Sequence, residues 1–250
     1  MLSLKCYLRS GIPAVLVVDD AKGGYHAVTA SGYRLGDDEE LAADIRVVFH
    51  EEGGELCPKG ISRLYVHDDR FGPYVRMQLK PPPDQYGDTV LERVGPRTGD
   101  PAQGAGGKIC YALFPLYPKL RLTARELIGL GIDMLPVVRS ILSVEERAML
   151  NVEVFFIHGG RYQRHLLSGG LDEPKRVEQF LSGTALPRYV GIVRFQLDDG
   201  ALVDIVCDTT DISRDYPRRA PVLAVFPFSG KHVEPFQKLL APMAPWAMVV

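Results

Sequence analysis

The first half of the chain is organised around one stretch, Gly24-Tyr25-His26-Ala27-Val28-Thr29-Ala30-Ser31-Gly32-Tyr33. Along this stretch Ala27, Thr29 and Ser31 alternate with Val28, Ala30 and Gly32, which predicts a strand with one small apolar face. A Gly-Gly turn precedes this strand, and a single histidine, His26, lies near its start. We therefore expect His26 to be held on a rigid strand next to a turn.

A second stretch is a possible partner for this histidine. The segment Leu64-Tyr65-Val66-His67-Asp68-Asp69-Arg70-Phe71-Gly72-Pro73-Tyr74 is predicted to be a strand that runs into an acidic turn. A histidine on one strand that faces a carboxylate from another is the base-and-orienting half of a cysteine or serine nucleophile site. The two stretches thus suggest half of a catalytic site.

Composition restricts the class of protein. The 250 residues carry 29 Lys+Arg against 31 Asp+Glu, a net charge of −2, so no nucleic-acid partner is expected. No apolar run approaches the length of about 20 residues that a membrane span needs, so no membrane partner is expected either. The four cysteines are scattered, without a C-x-x-C pair or a secretory signal, which favours reduced thiols in a cytoplasmic protein. The sequence implies no cofactor.

The remaining pattern indicates an α+β protein. A helix over Leu2 to Ser10 is predicted to end at Gly11, and an apolar strand over Ala14 to Val18 follows. Capping-box pairs at Thr123 and Ser143 predict helices, and Asp198-Asp199-Gly200 predicts a hairpin. Residues 162–167 could pair as a strand with the strand predicted over residues 152–157. Residues 81–108 are rich in proline and glycine and are interpreted as a linker or exposed excursion, so we expect domains over residues 1–80 and 109–250.

Residues 4–79 resemble the C-terminal half of bacterial papain-like cysteine peptidases of the group related to bacteriocin-processing (double-glycine) peptidases. Three pieces carry the resemblance: Tyr7-Leu8-Arg9-Ser10-Gly11-Ile12-Pro13-Ala14-Val15-Leu16, the strand from Tyr25 to Tyr33, and Val66-His67-Asp68-Asp69-Arg70-Phe71-Gly72-Pro73-Tyr74. The resemblance implies an incomplete papain-like antiparallel sheet half, followed by a second mixed α+β domain.

The resemblance also implies the roles of the site residues. His26 occupies the general-base position and Asp68 the orienting position, with Asp69 as a substitute for Asp68. One departure is Tyr25, because glycine usually precedes the histidine in that family.

The nucleophile of such a site is missing from the pattern. In the papain branch the cysteine lies on the order of a hundred residues before its histidine, at a helix N-terminus. Here Cys6 lies in a helix that is predicted to pack against the rest of the domain, which favours a buried, unreactive cysteine. Cys57 is the better of the two candidates for a reactive thiol. Either the start is assigned too late, or another chain supplies the nucleophile lobe, or the domain is a relic.

We therefore expect no peptidase activity from this chain, and a non-catalytic protein-binding or assembly module is the alternative. A protein or peptide partner at the truncated cleft and a homo-oligomer are both compatible with it.

Other patterns favour structural interpretations. His67, Asp68 and Asp69 with His26 or Cys57 could form a metal site. However, acidic residues at a strand-to-turn junction are usually turn formers, so no metal is predicted. The segment Cys207-Asp208-Thr209-Thr210-Asp211 is expected to form an Asx-type turn. The basic residues Arg161 and Arg164 and the neighbouring His165 are expected to be solvated surface.

Overall fold

The computed structural model of the chain describes residues 2–20, 23–35, 47–48, 55–56, 61–80, 89–94, 101–168, 174–183, 185–197, 200–210, 222–228, 233–236, 238 and 248–249. The chain divides into two compact units, the first comprising Met1–Val47 and Pro58–Leu116 and the second Val48–Cys57 and Tyr117–Val250. Within the described part of the chain, no helix combines the length and the apolar character needed to cross a bilayer.

The helices and strands follow one another along the chain in this order: α1 (Leu2–Arg9), β1 (Ala14–Asp20), β2 (Gly24–Leu35), β3 (Val47–Val48), β4 (Glu55–Leu56), β5 (Ile61–Asp68), β6 (Gly72–Lys80), β7 (Val90–Val94), β8 (Pro101–Leu113), α2 (Ala124–Arg139), α3 (Val144–Ala148), β9 (Asn151–His158), α4 (Gly159–Ser168), α5 (Pro174–Gly183), β10 (Tyr189–Leu197), β11 (Gly200–Asp208), β12 (Val222–Pro227) and β13 (Met248–Val249).

The first unit is a closed barrel of six strands in the order β1-β2-β5-β6-β7-β8, with every neighbouring pair antiparallel. It closes where β1 pairs with β8, from Val15 opposite Leu113 to Asp20 opposite Gly107. Alternate residues of each strand point inward. The inward side chains and two leucines of α1 form one buried cluster: Leu4, Leu8, Ala14, Leu16, Val18, Val28, Ala30, Ile61, Leu64, Val66, Met77, Leu79 and Leu91.

The second unit is a seven-stranded sheet in the order β13-β12-β11-β10-β9-β4-β3. The pairs β9–β10, β10–β11 and β11–β12 are antiparallel, whereas β4–β9 and β12–β13 are parallel. Helices α4 and α5 cover part of this sheet and share a buried cluster with its strands: Phe155, Tyr162, Leu166, Phe180, Val190, Ile192, Val206, Ala224 and Phe226.

Several local predictions are confirmed. The hydroxyl of Thr123 accepts the Glu126 N–H at 3.3 Å, while the Glu126 carboxylate accepts the Thr123 N–H at 2.7 Å. Ser143 and Glu146 form the same reciprocal cap at α3. The hairpin between β10 and β11 is present, and Gly200 has a φ of +146° there, a conformation that suits glycine.

The expected fold class is wrong. In place of an α+β protein with an incomplete papain-like antiparallel sheet half and a second mixed α+β domain, the structure has a mostly antiparallel architecture with a closed six-stranded barrel. Two strands occupy the region interpreted as a linker: β7 lies within it, and β8 begins in it. The barrel closes because β7 pairs with β6, β8 pairs with β1, and β7 and β8 pair with each other. The first unit therefore continues to Leu116.

A second correction concerns residues 162–167, which were considered as a possible paired strand. They belong to α4, whose buried side chains include Tyr162 and Leu166, four residues apart. That spacing places both on one face of a helix, and the helix packs them against the sheet.

Candidate functional site

His26 lies on β2 at one end of the barrel. It is paired with Val18 of β1, and it shares the inward face of β2 with Val28 and Ala30, which are buried. The His26 side chain is 12% exposed. Because β2 is paired on both sides within the closed barrel, the imidazole is attached to a rigid backbone.

Asp68 is the last residue of β5 and lies on the inward face that also carries Leu64 and Val66. Its side chain is 1% exposed. The Asp68 Oδ1 atom accepts the backbone N–H of Arg70 at 2.8 Å, which is an Asx-type turn at the start of the β5–β6 connection. Gly72, with a φ of +96°, ends that turn. The local sequence thus fixes the carboxylate as the strand ends.

The β2–β5 register brings these two residues together. Thr29 pairs with His67, so the end of β5 lies beside the first half of β2. His26 Nε2 is 3.2 Å from Asp68 Oδ1 and 3.5 Å from Asp69 Oδ1. Asp69, the possible substitute for Asp68, therefore also reaches the histidine, from a side chain that is 82% exposed.

The contact between His26 and Asp68 has the distance of an ion pair but not the alignment of a hydrogen bond. His26 Nε2 is buried and has no hydrogen-bond partner. A buried polar atom without a hydrogen bond destabilises the fold by about 1–3 kcal/mol. The described residues thus direct a buried ring nitrogen towards two carboxylates without satisfying it.

Cys6 lies at the other end of the barrel. It is buried on α1, where the neighbouring Tyr7 packs against Phe114, just beyond the end of β8, with ring centroids 4.3 Å apart. His26 is opposite Val18, which lies about 13 Å along β1 from Ala14, where the strand begins after α1. The structure therefore does not bring Cys6 to His26. Cys57 lies outside the described residues.

His67 does not join the site. Successive side chains of a strand point to opposite faces, so His67 faces outward while Asp68 faces inward. The His67 ring packs on Tyr74, with centroids 4.7 Å apart. Of the residues considered for a metal site, the described part of the chain brings together His26, Asp68 and Asp69, whose candidate donor atoms all lie within 4.8 Å of one another.

Asp208 confirms the expected Asx-type turn in the second unit. Its Oδ1 atom accepts both the N–H and the hydroxyl of Thr210, each at 2.7 Å. Thr209 is buried, and its hydroxyl donates to the Tyr189 carbonyl at 2.6 Å. The turn therefore fastens the end of β11 to β10.

Sequence reasoning missed a buried polar cluster in the second unit. Asp204 is fully buried, and its two oxygens accept Nε and Nη2 of Arg194 at 2.7 and 2.8 Å. The Tyr162 hydroxyl donates to Asp204 at 2.9 Å, and His165 Nε2 is 3.0 Å from Arg194 Nη2. Burial, followed by the charge of Asp204, raises the pKa of Tyr162 well above its usual value.

Part of this cluster lies on the predicted hairpin, where Arg194 is opposite Asp204 across β10 and β11. Their pairing also requires a bulge between Phe195 and Gln196, because Leu197 pairs with Gly200 and an unbroken ladder would place Arg194 opposite Val203. His165, which was expected to be solvated surface, is exposed but contacts the cluster.

Comparison of the chain with protein-family models, with curated proteins and with solved structures gave no match.

Proposed function

We propose that this protein is related to papain-like cysteine peptidases, that it carries the general base and orienting carboxylate of their site, and that the chain alone does not hydrolyse peptides. The observation that supports this proposal is the approach of His26 Nε2 to Asp68 Oδ1 at 3.2 Å, between two strands of a rigid barrel.

The chemistry of such a site assigns one role to each ring nitrogen. A thiolate attacks an acyl carbon, histidine moves the proton between the thiol and the leaving group, and the carboxylate holds the ring in one orientation. In this chain Nε2 faces Asp68, so Nδ1 is the nitrogen that would face a nucleophile. The burial of Cys6 on α1, next to the Tyr7 ring that packs on Phe114 near the start of β1, supports the second part of the proposal, the lack of activity.

A thiol-directed activity probe and a panel of peptide and isopeptide substrates test this proposal. We expect neither specific labelling nor turnover by the wild-type chain. Robust turnover that is abolished by both His26→Ala and Cys6→Ala would overturn it. Cys110→Ala is the matched thiol control, because Cys110 is partly exposed and lies on β8, two strands from His26.

A non-catalytic assembly module is a second candidate, and one observation favours it. The outer face of the neighbouring strands β1 and β8 carries Val15 and Val17, which are half-buried, beside Tyr111 and Leu113, which are 65% and 59% exposed. An apolar strip of this kind on a barrel surface is typical of an interaction site. A second copy of the chain is the occupant proposed here.

Light scattering of the purified protein measures this directly. A dimer that Leu113→Lys converts to a monomer supports the assembly module, with Leu167→Lys, an exposed leucine of the second unit, as the control. A wild-type monomer at high protein concentration contradicts it. The cytoplasmic location and the lack of a nucleic-acid partner stay predictions.

A further inference from the structure

We propose that His26, Asp68 and Asp69 bind a divalent first-row transition-metal ion, with Zn²⁺ as the representative of the class. This inference concerns the same side chains as the proposed function but does not depend on it. It requires three ligand atoms and no nucleophile.

The spacing of the donor atoms fits such an ion. His26 Nε2 lies 3.2 and 3.5 Å from the nearest oxygens of Asp68 and Asp69. Zinc bonds to nitrogen and oxygen are about 2.0–2.2 Å long, so neighbouring ligands of a tetrahedral ion lie about 3.3–3.6 Å apart. Both distances that involve the ring nitrogen are therefore already close to the edge of that tetrahedron.

The unsatisfied nitrogen is the second, independent observation. Nε2 of His26 is buried, approaches two carboxylate oxygens and has no hydrogen-bond partner. A neutral imidazole offers a lone pair at that atom, and a bound cation would use it. The cation would also sit between the two carboxylates and offset their mutual repulsion.

The surroundings of the three ligands match those of an open metal site. Asp68 is fixed by the Arg70 N–H at 2.8 Å, which orients the buried carboxylate. Asp69 is mostly exposed, so the side of the ion next to it faces solvent. Three protein ligands with a remaining solvent position are typical of zinc sites that are not purely structural. An imidazole with two carboxylates favours zinc, iron or manganese over magnesium.

The experiment is a titration of the full chain, freed of metal by a chelator, with Zn²⁺ by calorimetry and with Co²⁺ by absorption. We expect saturable binding of one ion per chain at micromolar concentration and visible d–d bands of Co²⁺ without thiolate charge-transfer bands. Asp69→Asn and His26→Gln are each expected to weaken binding at least about tenfold. Asp133→Asn, an exposed carboxylate on α2, is the matched control and leaves binding unchanged.

Three results would overturn the inference: no saturable binding by the wild type, an affinity of both the Asp69→Asn and His26→Gln variants equal to that of the wild type, or thiolate bands that place the ion on cysteines. The Asp69→Asn variant guards against a folding artefact, because Asp69 is exposed and circular dichroism can verify that the fold is retained. Peptide turnover and thiol labelling are not measured in this titration. The inference and the proposed function can therefore fail separately.

Discussion

Replacing Asp204 with asparagine keeps the shape of the side chain but removes the charge that holds Arg194. In the native protein the Asp204 carboxylate accepts three hydrogen bonds, two from Arg194 and one from Tyr162, and it is fully buried. An asparagine amide offers one oxygen and one NH₂ group, so one of these donors must face another donor. The Arg194 side chain is only 14% exposed and cannot move fully into water without losing its packing.

Removing one partner of a buried ion pair typically lowers the free energy of unfolding by about 3–5 kcal/mol. The partial exposure of Arg194 reduces its desolvation, so we expect the lower end of this range, about 3 kcal/mol, for Asp204→Asn. Tyr162→Phe removes one hydrogen bond to a charged group and should lower it by about 1.5 kcal/mol. The double change Arg194→Leu with Asp204→Leu removes both charges together and should recover much of the loss.

The assay is urea unfolding followed by circular dichroism, combined with hydrogen exchange of peptides from β10 and β11. Exchange should accelerate in these two strands of the second unit, while the barrel strands β2 and β5 serve as the internal reference. A loss below about 1 kcal/mol in Asp204→Asn would refute the reasoning, and so would a double variant less stable than Asp204→Asn.

Three further outcomes are expected. Burial raises the pKa of Tyr162, so above a pH of about 10 the unfolded chain releases the hydroxyl proton while the folded chain retains it. The free energy of unfolding should therefore fall as the pH rises. A comparison of the alkaline unfolding of the wild type with that of Tyr162→Phe isolates this contribution. Burial also raises the pKa of the Cys207 thiol, so native Cys207 should resist iodoacetamide while the partly exposed Cys110 reacts, as peptide mass spectrometry would detect; equal rates would contradict this. Gly107→Ala would bring a Cβ into contact with a backbone carbonyl of β1 and should destabilise the barrel by about 2 kcal/mol, whereas Gly129→Ala in α2 meets open space and should stabilise by about 0.5–1 kcal/mol, both measured by thermal unfolding.

Local structure was the part of the fold that the sequence predicted well. Thr123 with Glu126 and Ser143 with Glu146 are reciprocal caps whose chemistry lies within four residues. Gly11, with a φ of +74°, ends α1 as expected. These features depend on neighbouring residues only, and the sequence lists neighbours directly.

The closed barrel was not predictable in the same way. Its closure depends on β8, whose first seven residues, Pro-Ala-Gln-Gly-Ala-Gly-Gly, have the composition of a linker. Glycine suits this strand at one position at least, because Gly107 lies against the backbone of β1. The pairing partner that turns such a stretch into a strand lies far away in the sequence.

The candidate site was partly predictable. The strand pattern suggested a histidine that faces a carboxylate, and the resemblance to papain-like peptidases identified that carboxylate as Asp68. Asp69 was expected only as a replacement for Asp68, not as a second carboxylate beside His26. Whether its side chain comes close to His26 depends on the path of the turn after β5. The Arg194–Asp204 pair lies on the predicted hairpin, but it depends on a bulge between Phe195 and Gln196 that the sequence pattern does not specify. Tyr162 was not expected beside it, because residues 162–167 were considered as a possible strand.

The closure of the barrel also determines when the first unit can fold. Val15 pairs with Leu113, roughly 100 residues later. Among the six barrel strands, β1 is therefore synthesised first, and β8, the strand that closes the barrel against it, is synthesised last. Until β8 is synthesised, one edge of β1 in the β1–β2 hairpin stays unpaired, and such an edge can pair with another nascent chain. Ribosome-bound chains that stop before β8 should therefore be the species most prone to aggregate, and recruitment of chaperones should decline once Leu113 has left the exit tunnel.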